Sequence, residues 1–216
     1  MKTVFLFLMF LALVPQAHAV KYRTYTLAEL TKKADAIVVA RVTIREGIVC
    51  ANVLRSLKGS PETNIVVESF VTREEEKTSF SKGETVILFL QKEENGRRLL
   101  LGYGDQGKWP KTVGKWPYSD VHVVSIQKVE KAIKTLLNLD QISDTGKKVS
   151  KIKLLLSSTD GFDQACALEY LDSGCDPKVK GAVRSEVKVL RDESKDKYLQ
   201  AVGDSVSRTN AFKHTP

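Results

Sequence analysis

The spacing of hydrophobic residues changes once along this chain, near Gln127, and that change constrains the fold more than any other feature. Before it, short runs rich in β-branched residues alternate apolar and polar side chains, which is typical of strands. After it, apolar residues recur three and four apart, as on one face of a helix. The pattern predicts an α+β chain, with a small antiparallel β-barrel over residues 20–126, a helical domain over 127–208 and a disordered tail over 209–216.

The β part begins with a short helix and continues as strands. Thr26 is suited to cap the helix, and Glu29 stands at the capping-box position three residues later. Asn95-Gly96 is a strong hairpin signal between two of the strands. Strands are predicted at 36–45, 48–57, 64–71, 84–91 and 98–103, with 122–126 as a last candidate. Six strands with tight turns and one helix indicate a small closed barrel.

The second part predicts four or five short helices. Asp160 is suited to cap one of them, and Gly174 is suited to end it. Asp176 before Pro177 marks the next start, and Ser194 is a candidate cap for the last helix. The apolar faces run over Ile126 to Leu137, Val149 to Leu156, Phe162 to Leu171, Val179 to Leu190, and Tyr198 with Val202.

Residues 1–19 have the three-part pattern of a cleavable signal peptide. Lys2 gives a positive start, 4–14 is an unbroken apolar run of eleven residues, and Ala17-His18-Ala19 supplies the small-x-small cleavage pattern. Eleven residues span about 16 Å as a helix, roughly half of a bilayer core, so a membrane anchor is the weaker interpretation. We therefore expect an exported protein, periplasmic or secreted, cleaved after Ala19 and without a transmembrane segment in the mature chain.

Export would place Cys50, Cys166 and Cys175 in an oxidising space. Cys166 and Cys175 flank the end of a predicted helix, which makes them a candidate disulfide. Cys50 lies in a strand pattern and is predicted as a small core residue. The cysteines lack CxxC spacing, and the mature chain has only His122 and His214 as histidines, so we expect no metal site and no cofactor.

The charge of the chain favours an anionic partner. Without Lys2 the chain has 33 basic and 26 acidic side chains, a net charge of +7. Such a charge suits an anionic envelope polymer or an acidic protein surface, although the lysines are scattered and can serve solubility alone. Their densest group is Lys147, Lys148, Lys151 and Lys153. No specific nucleic-acid partner is expected, and the oligomeric state is left open.

Two copies of one short motif form a candidate binding loop. Gly107-Lys-Trp-Pro110 and Gly114-Lys-Trp-Pro117 repeat the same four residue types seven residues apart. We expect this loop to present Lys108, Trp109, Lys115 and Trp116 to a ligand or protein. The alternative is that both indoles fill the open end of the barrel.

The sequence contains no convincing catalytic group. Asp120 and His122 are two apart and come nearest to a hydrolytic pair, but no GxSxG segment supplies a nucleophile. We therefore predict no catalytic residue and a non-enzymatic protein. The alternative is a cell-envelope hydrolase with dispersed catalytic residues near His122.

Three segments in the β part carry a family resemblance. The segments are Ala34-Asp-Ala-Ile-Val-Val-Ala-Arg-Val42, Val53-Leu-Arg-Ser-Leu-Lys-Gly59 and Phe80-Ser-Lys-Gly-Glu-Thr-Val-Ile-Leu-Phe-Leu90. Over residues 25–126, their order resembles the OB-type barrel of tissue inhibitors of metalloproteinases and netrin-like modules, and that of a group of bacterial exported proteins. The resemblance implies an OB-like barrel that presents loops to a protein partner.

The expected start of the mature chain limits what this resemblance implies. The inhibitors chelate the protease zinc through an N-terminal cysteine, whereas this chain would begin at Val20. The scaffold is therefore implied, but zinc chelation is not. In the helical part, 154–160 and 165–171 resemble one HEAT-type helix pair. The resulting expectation is an exported protein-interaction or ligand-binding module of unknown partner.

Overall fold

The structure, a computed structural model, describes residues 25–46, 48–66, 80–92, 94, 98–101, 107–109 and 124–208. The predicted signal peptide and the predicted tail lie outside these ranges. The described elements are α1 (Leu27–Lys33), β1 (Ala36–Arg45), β2 (Ile48–Lys58), β3 (Asn64–Val66), β4 (Thr85–Lys92), β5 (Arg98–Leu100), β6 (Lys108–Trp109), α2 (Ile126–Gln141), α3 (Thr145–Leu156), α4 (Gly161–Asp172), α5 (Pro177–Ala182), α6 (Arg184–Glu193) and α7 (Lys197–Ser207).

The strands form one curled antiparallel sheet, and the prediction of an α+β chain is confirmed. The strand order is β3-β2-β1-β4-β5, and the two-residue β6 pairs with β4 on the same side as β5. Strands β1 to β3 are consecutive neighbours, and β4 returns after a long connection to lie beside β1. This is the spatial order of a Greek key. Two register shifts in the β1–β2 ladder are β-bulges or similar irregularities, and bulges bend a strand and increase its twist.

The central strand β1 is buried on both faces, and its side chains alternate between two clusters. Ile37 and Val39 lie in a large cluster that also contains α1 and residues from all six C-terminal helices. Val38 and Ala40 lie in a second cluster made only of residues from the strands and the segments between them. This alternation follows from the two-residue period of a strand. The sheet therefore carries the helices on one face and its own inner core on the other.

Helix α1 begins as the sequence predicts. The Thr26 hydroxyl accepts from the Glu29 N–H, and the Glu29 carboxylate accepts from the Thr26 N–H, which completes the capping box. At the other end, Lys58 Nζ donates to the Thr31 and Lys32 carbonyls, both at 2.9 Å. The end of β2 therefore satisfies carbonyl groups that the last turn of a helix leaves without partners.

The C-terminal helices follow most of the predicted faces, with three corrections. The candidate last strand over 122–126 is wrong at Ile126, which begins α2 as its place on the first helical face predicts, and Ser125 caps that helix. The predicted helix over 179–190 is divided at Val183 into α5 and α6. The cap of α7 is Asp196, whose carboxylate accepts from two backbone N–H groups, and not Ser194. None of the helices described has the length and apolar composition that crossing a membrane requires.

Candidate functional site

The structure places one half of the predicted binding loop in the interior. Trp109 and Lys108 form β6 and pair with Ile87 and Leu88 of β4. Trp109 is only 8% exposed and packs in the large cluster shared with the helices, and not in the inner core of the sheet. The other predicted residues, Lys115 and Trp116 together with Asp120 and His122, lie outside the described residues, so their roles stay predictions.

Lys108 is a buried cation on the inner side of the sheet. Its side chain is fully buried, its Nζ lies 2.8 Å from Glu84 Oε1, and the ammonium stands 4.7 Å from the centre of the Phe80 ring. A buried ammonium needs such a carboxylate and gains further from an aromatic face. These contacts hold β6 against β4, so Lys108 has a structural environment and is not part of an exposed surface.

The three cysteines are free thiols, and the candidate disulfide between Cys166 and Cys175 is not formed in the structure. Cys166 packs in the core from the middle of α4, six residues and about 9 Å before that helix ends. Cys175 lies beyond the turn at Gly174, whose φ is +100°. Burial raises the pKa of the Cys166 thiol well above its ordinary value. Cys50 was expected in the core but is only half-buried, in β2.

A polar groove along α2 is the best candidate for a ligand site. Its cavity volume is about 440 Å³. Four of its residues, at positions 127, 131, 134 and 138, follow helical spacing and lie on one face over three turns, or about 16 Å. The lining residues are Gln127, Glu130, Lys131, Lys134, Thr135 and Asn138 from α2, and Lys151 from α3.

The amphipathic pattern of α2 explains why this face is open. Val129, Ile133 and Leu136 are buried against the rest of the protein, and they recur three and four apart. The polar positions between them therefore point to the other side, where Lys131 and Asn138 are exposed. The spacing of apolar residues that buries one side of α2 thus leaves a polar face exposed along the other side of the helix.

Glu130 is the acidic centre of the groove, and two cations hold it. Arg55 of β2 donates from Nε to both carboxylate oxygens, at 3.1 and 3.0 Å, and also from Nη2. Lys134 Nζ donates to Oε1 at 2.9 Å. These contacts, the Arg55 hydrogen bond first, lower the pKa of Glu130 from its ordinary 4.5 to about 2. Glu130 is therefore an anion at neutral pH, although only 8% of the residue is exposed.

The groove has an excess of positive charge. Arg55 and Lys134 contact the Glu130 carboxylate, and Lys131 and Lys151 add two more cations to the lining. In the part of the chain that the structure describes, neither Lys131 nor Lys151 forms an ion pair. Amide and hydroxyl groups complete the lining, so the groove can donate to anions and also exchange hydrogen bonds with neutral polar groups.

The lining offers polar and charged side chains that can bind a ligand. Its described residues include no histidine, cysteine or serine. Over the described ranges, no group of three His, Cys, Asp or Glu side chains could hold a metal ion. What the groove can do chemically is to hold a polar, negatively charged ligand.

Sequence reasoning missed most of this groove. Of the lysine group noted from the sequence, only Lys151 lines it. The polar stripe at 127, 131, 134 and 138 is readable from the sequence as the reverse side of the apolar face. The position of Arg55 is not, because it contacts Glu130 across 75 residues of chain.

Comparison with known proteins assigns no family. The chain matches no protein-family model and no curated protein. A function is therefore inferred from the chain's own residues.

Proposed function

We propose that this chain is an exported, non-enzymatic binding module that holds an anionic ligand in the groove along α2. The groove is the main support for the proposal, because three lysines and one carboxylate line its cavity of about 440 Å³. Arg55 and Lys134 already neutralise that carboxylate. Among the described residues neither Lys131 nor Lys151 has an ion-pair partner, so within this part of the chain both can attract an incoming anion directly.

Export is supported by the signal-peptide pattern of residues 1–19, and the mature chain carries a net positive charge. An anionic envelope polymer is then the partner that the charge fits. N-terminal sequencing of the protein from the exported fraction tests this part. We expect the sequence to begin at Val20, and an intact Met1 would contradict export with cleavage.

From the resemblance to the barrel of metalloproteinase inhibitors and netrin-like modules, the proposal takes only the OB-like scaffold. The Greek-key order of β1 to β4 supports an OB-like barrel over residues 20–126, since an OB-fold is a partly open Greek-key barrel. The consecutive helices α3 and α4 support one HEAT-type pair. The OB-like barrel positions α2 through Arg55, and zinc chelation is not part of the proposal.

A polyanion-binding measurement tests the groove. We would titrate the wild-type protein and the Lys131→Gln, Lys151→Gln double variant with dextran sulfate by calorimetry, at several salt concentrations. Two screened ion contacts contribute about 1–2 kcal/mol together, so the double variant should bind roughly tenfold more weakly. Lys195→Gln is the control, because Lys195 is exposed and lies outside the groove. Equal loss in the control, or no loss in the double variant, would contradict the proposal.

A further inference from the structure

We infer that a small cavity between α1, α2 and α4 is a binding site for one structural water molecule, held by the Thr31 hydroxyl and the Asp140 carboxylate. Thr31 belongs to α1, and Asp140 lies in the last turn of α2. The cavity is separate from the groove along α2, because the two share no lining residue. A water molecule in this position links α1 to α2 by hydrogen bonds.

The Thr31 hydroxyl is the polar group in this cavity that needs a partner. Thr31 is only 1% exposed, and among the described residues its Oγ1 has no hydrogen-bond partner. Buried hydroxyl groups in folded proteins form hydrogen bonds with protein groups or with ordered water. Ala28 and Lys32 of the same helix line the cavity together with Thr31, so a water molecule there lies on the Thr31 side of α1.

The size of the cavity selects water over a larger ligand. Its volume is about 20 Å³. About 10–15 Å³ is enough to hold one water molecule, provided that polar groups surround it. A phosphate, a carboxylate or a sugar is larger than water and does not fit.

The charges around the cavity favour a neutral molecule. Lys32 contributes an ammonium, whose Nζ donates to the Ser173 carbonyl at 3.2 Å. Asp140 contributes a carboxylate, to which the Tyr170 hydroxyl is hydrogen-bonded. The ammonium repels a metal cation, and the carboxylate repels an anion. A water molecule can accept from Thr31 and donate to Asp140, so it satisfies both groups.

High-resolution crystallography of the full-length protein tests the site directly. We expect density for one water molecule at hydrogen-bond distance, about 2.7–3.0 Å, from Thr31 Oγ1 and from a carboxylate oxygen of Asp140. A second crystal, soaked in rubidium chloride, should show no anomalous peak in the cavity. A rubidium peak there would overturn the assignment to water. A cavity without density, or a Thr31 hydroxyl that is bonded to a protein group instead, would overturn the site.

Oxygen-17 relaxation dispersion, which counts long-lived water molecules, tests the role of the hydroxyl in solution. Thr31→Val keeps the shape of the side chain and should hold one long-lived water fewer than the wild type, whereas Thr31→Ser should hold the same number. Thr43→Val is the matched control, because the Thr43 hydroxyl donates to the Cys50 carbonyl at 3.4 Å and lies outside the cavity. Equal numbers in Thr31→Val and the wild type, or the same loss in Thr43→Val, would overturn the inference. Circular dichroism confirms that each variant is folded, and the crystal of the wild type decides the question without any variant.

Discussion

Arg55 and Glu130, 75 residues apart, join the sheet to the groove through a forked ion pair. The guanidinium Nε donates to both carboxylate oxygens at 3.1 and 3.0 Å, and Nη2 donates to one of them. Arg55 belongs to β2 and Glu130 to α2. The shape of the groove therefore depends on how α2 docks on the sheet, and the same pair sets the charge inside it.

Removing this pair should destabilise the protein. Glu130→Gln leaves Arg55 without its carboxylate, and we expect the free energy of unfolding to fall by about 2 kcal/mol, because Glu130 is buried while Arg55 is half-exposed. Urea denaturation of Glu130→Gln, Arg55→Gln and the double variant measures the coupling. The double variant should lose less than the sum of the two single losses, and simple additivity would contradict a direct interaction.

The Arg55–Glu130 ion pair should also make the free energy of unfolding depend on pH under acidic conditions. The folded-state pKa of Glu130 is lowered from 4.5 to about 2, so its contribution to stability is fully present above pH 4.5. That contribution is lost as the pH falls from 4.5 toward 2, because the unfolded chain then binds a proton more readily. Wild-type stability should fall more steeply than that of Glu130→Gln in this window. If the free energy of unfolding of the two proteins has the same pH dependence, the stabilising role of the ion pair is wrong.

A backbone position at the end of β2 should accept only glycine. Gly59 has a φ of +71°, and a Cβ there would lie 2.5 Å from the Asp35 carbonyl oxygen. We expect Gly59→Ala to cost about 1–3 kcal/mol. Gly181→Ala is the matched control, since a Cβ at Gly181 meets nothing within 4 Å and α5 is a helix. That control should be neutral or slightly stabilising. Similar melting temperatures for the two variants would contradict this account.

Thiol labelling should distinguish the cysteines. Burial raises the pKa of the Cys166 thiol, so Cys166 should react more slowly than Cys50 and Cys175 in the native protein. After denaturation without reductant, all three should be labelled, as counted by mass spectrometry. If only Cys50 is labelled under these conditions, Cys166 and Cys175 are bonded in the native protein.

The parts of the fold that local sequence dictates were predictable. The capping box of Thr26 and Glu29 needs only four residues of chain, and the buried run of β4 is readable as a strand on its own. The strand β6 was missed because its two residues pair only with the distant β4. The break at Val183 was missed because the apolar spacing continues through it.

The candidate site also has one part that the sequence predicts and another part that it does not. The polar stripe on α2 is the reverse side of an apolar pattern that the sequence displays. The contact of Arg55 with Glu130, and the contribution of Lys151 from a second helix, depend on packing between elements distant in the chain or separated by a turn. No periodicity in the sequence reports such contacts.

The groove along α2 is the central claim, and an NMR titration of the isotope-labelled protein with dextran sulfate tests it most directly. The backbone and side-chain signals of Gln127, Lys131, Asn138 and Lys151 should shift progressively with ligand, while those of the control positions Gln141 and Lys195 should not. Shifts confined to other surfaces, or no shifts along α2 at saturating ligand, would contradict the account.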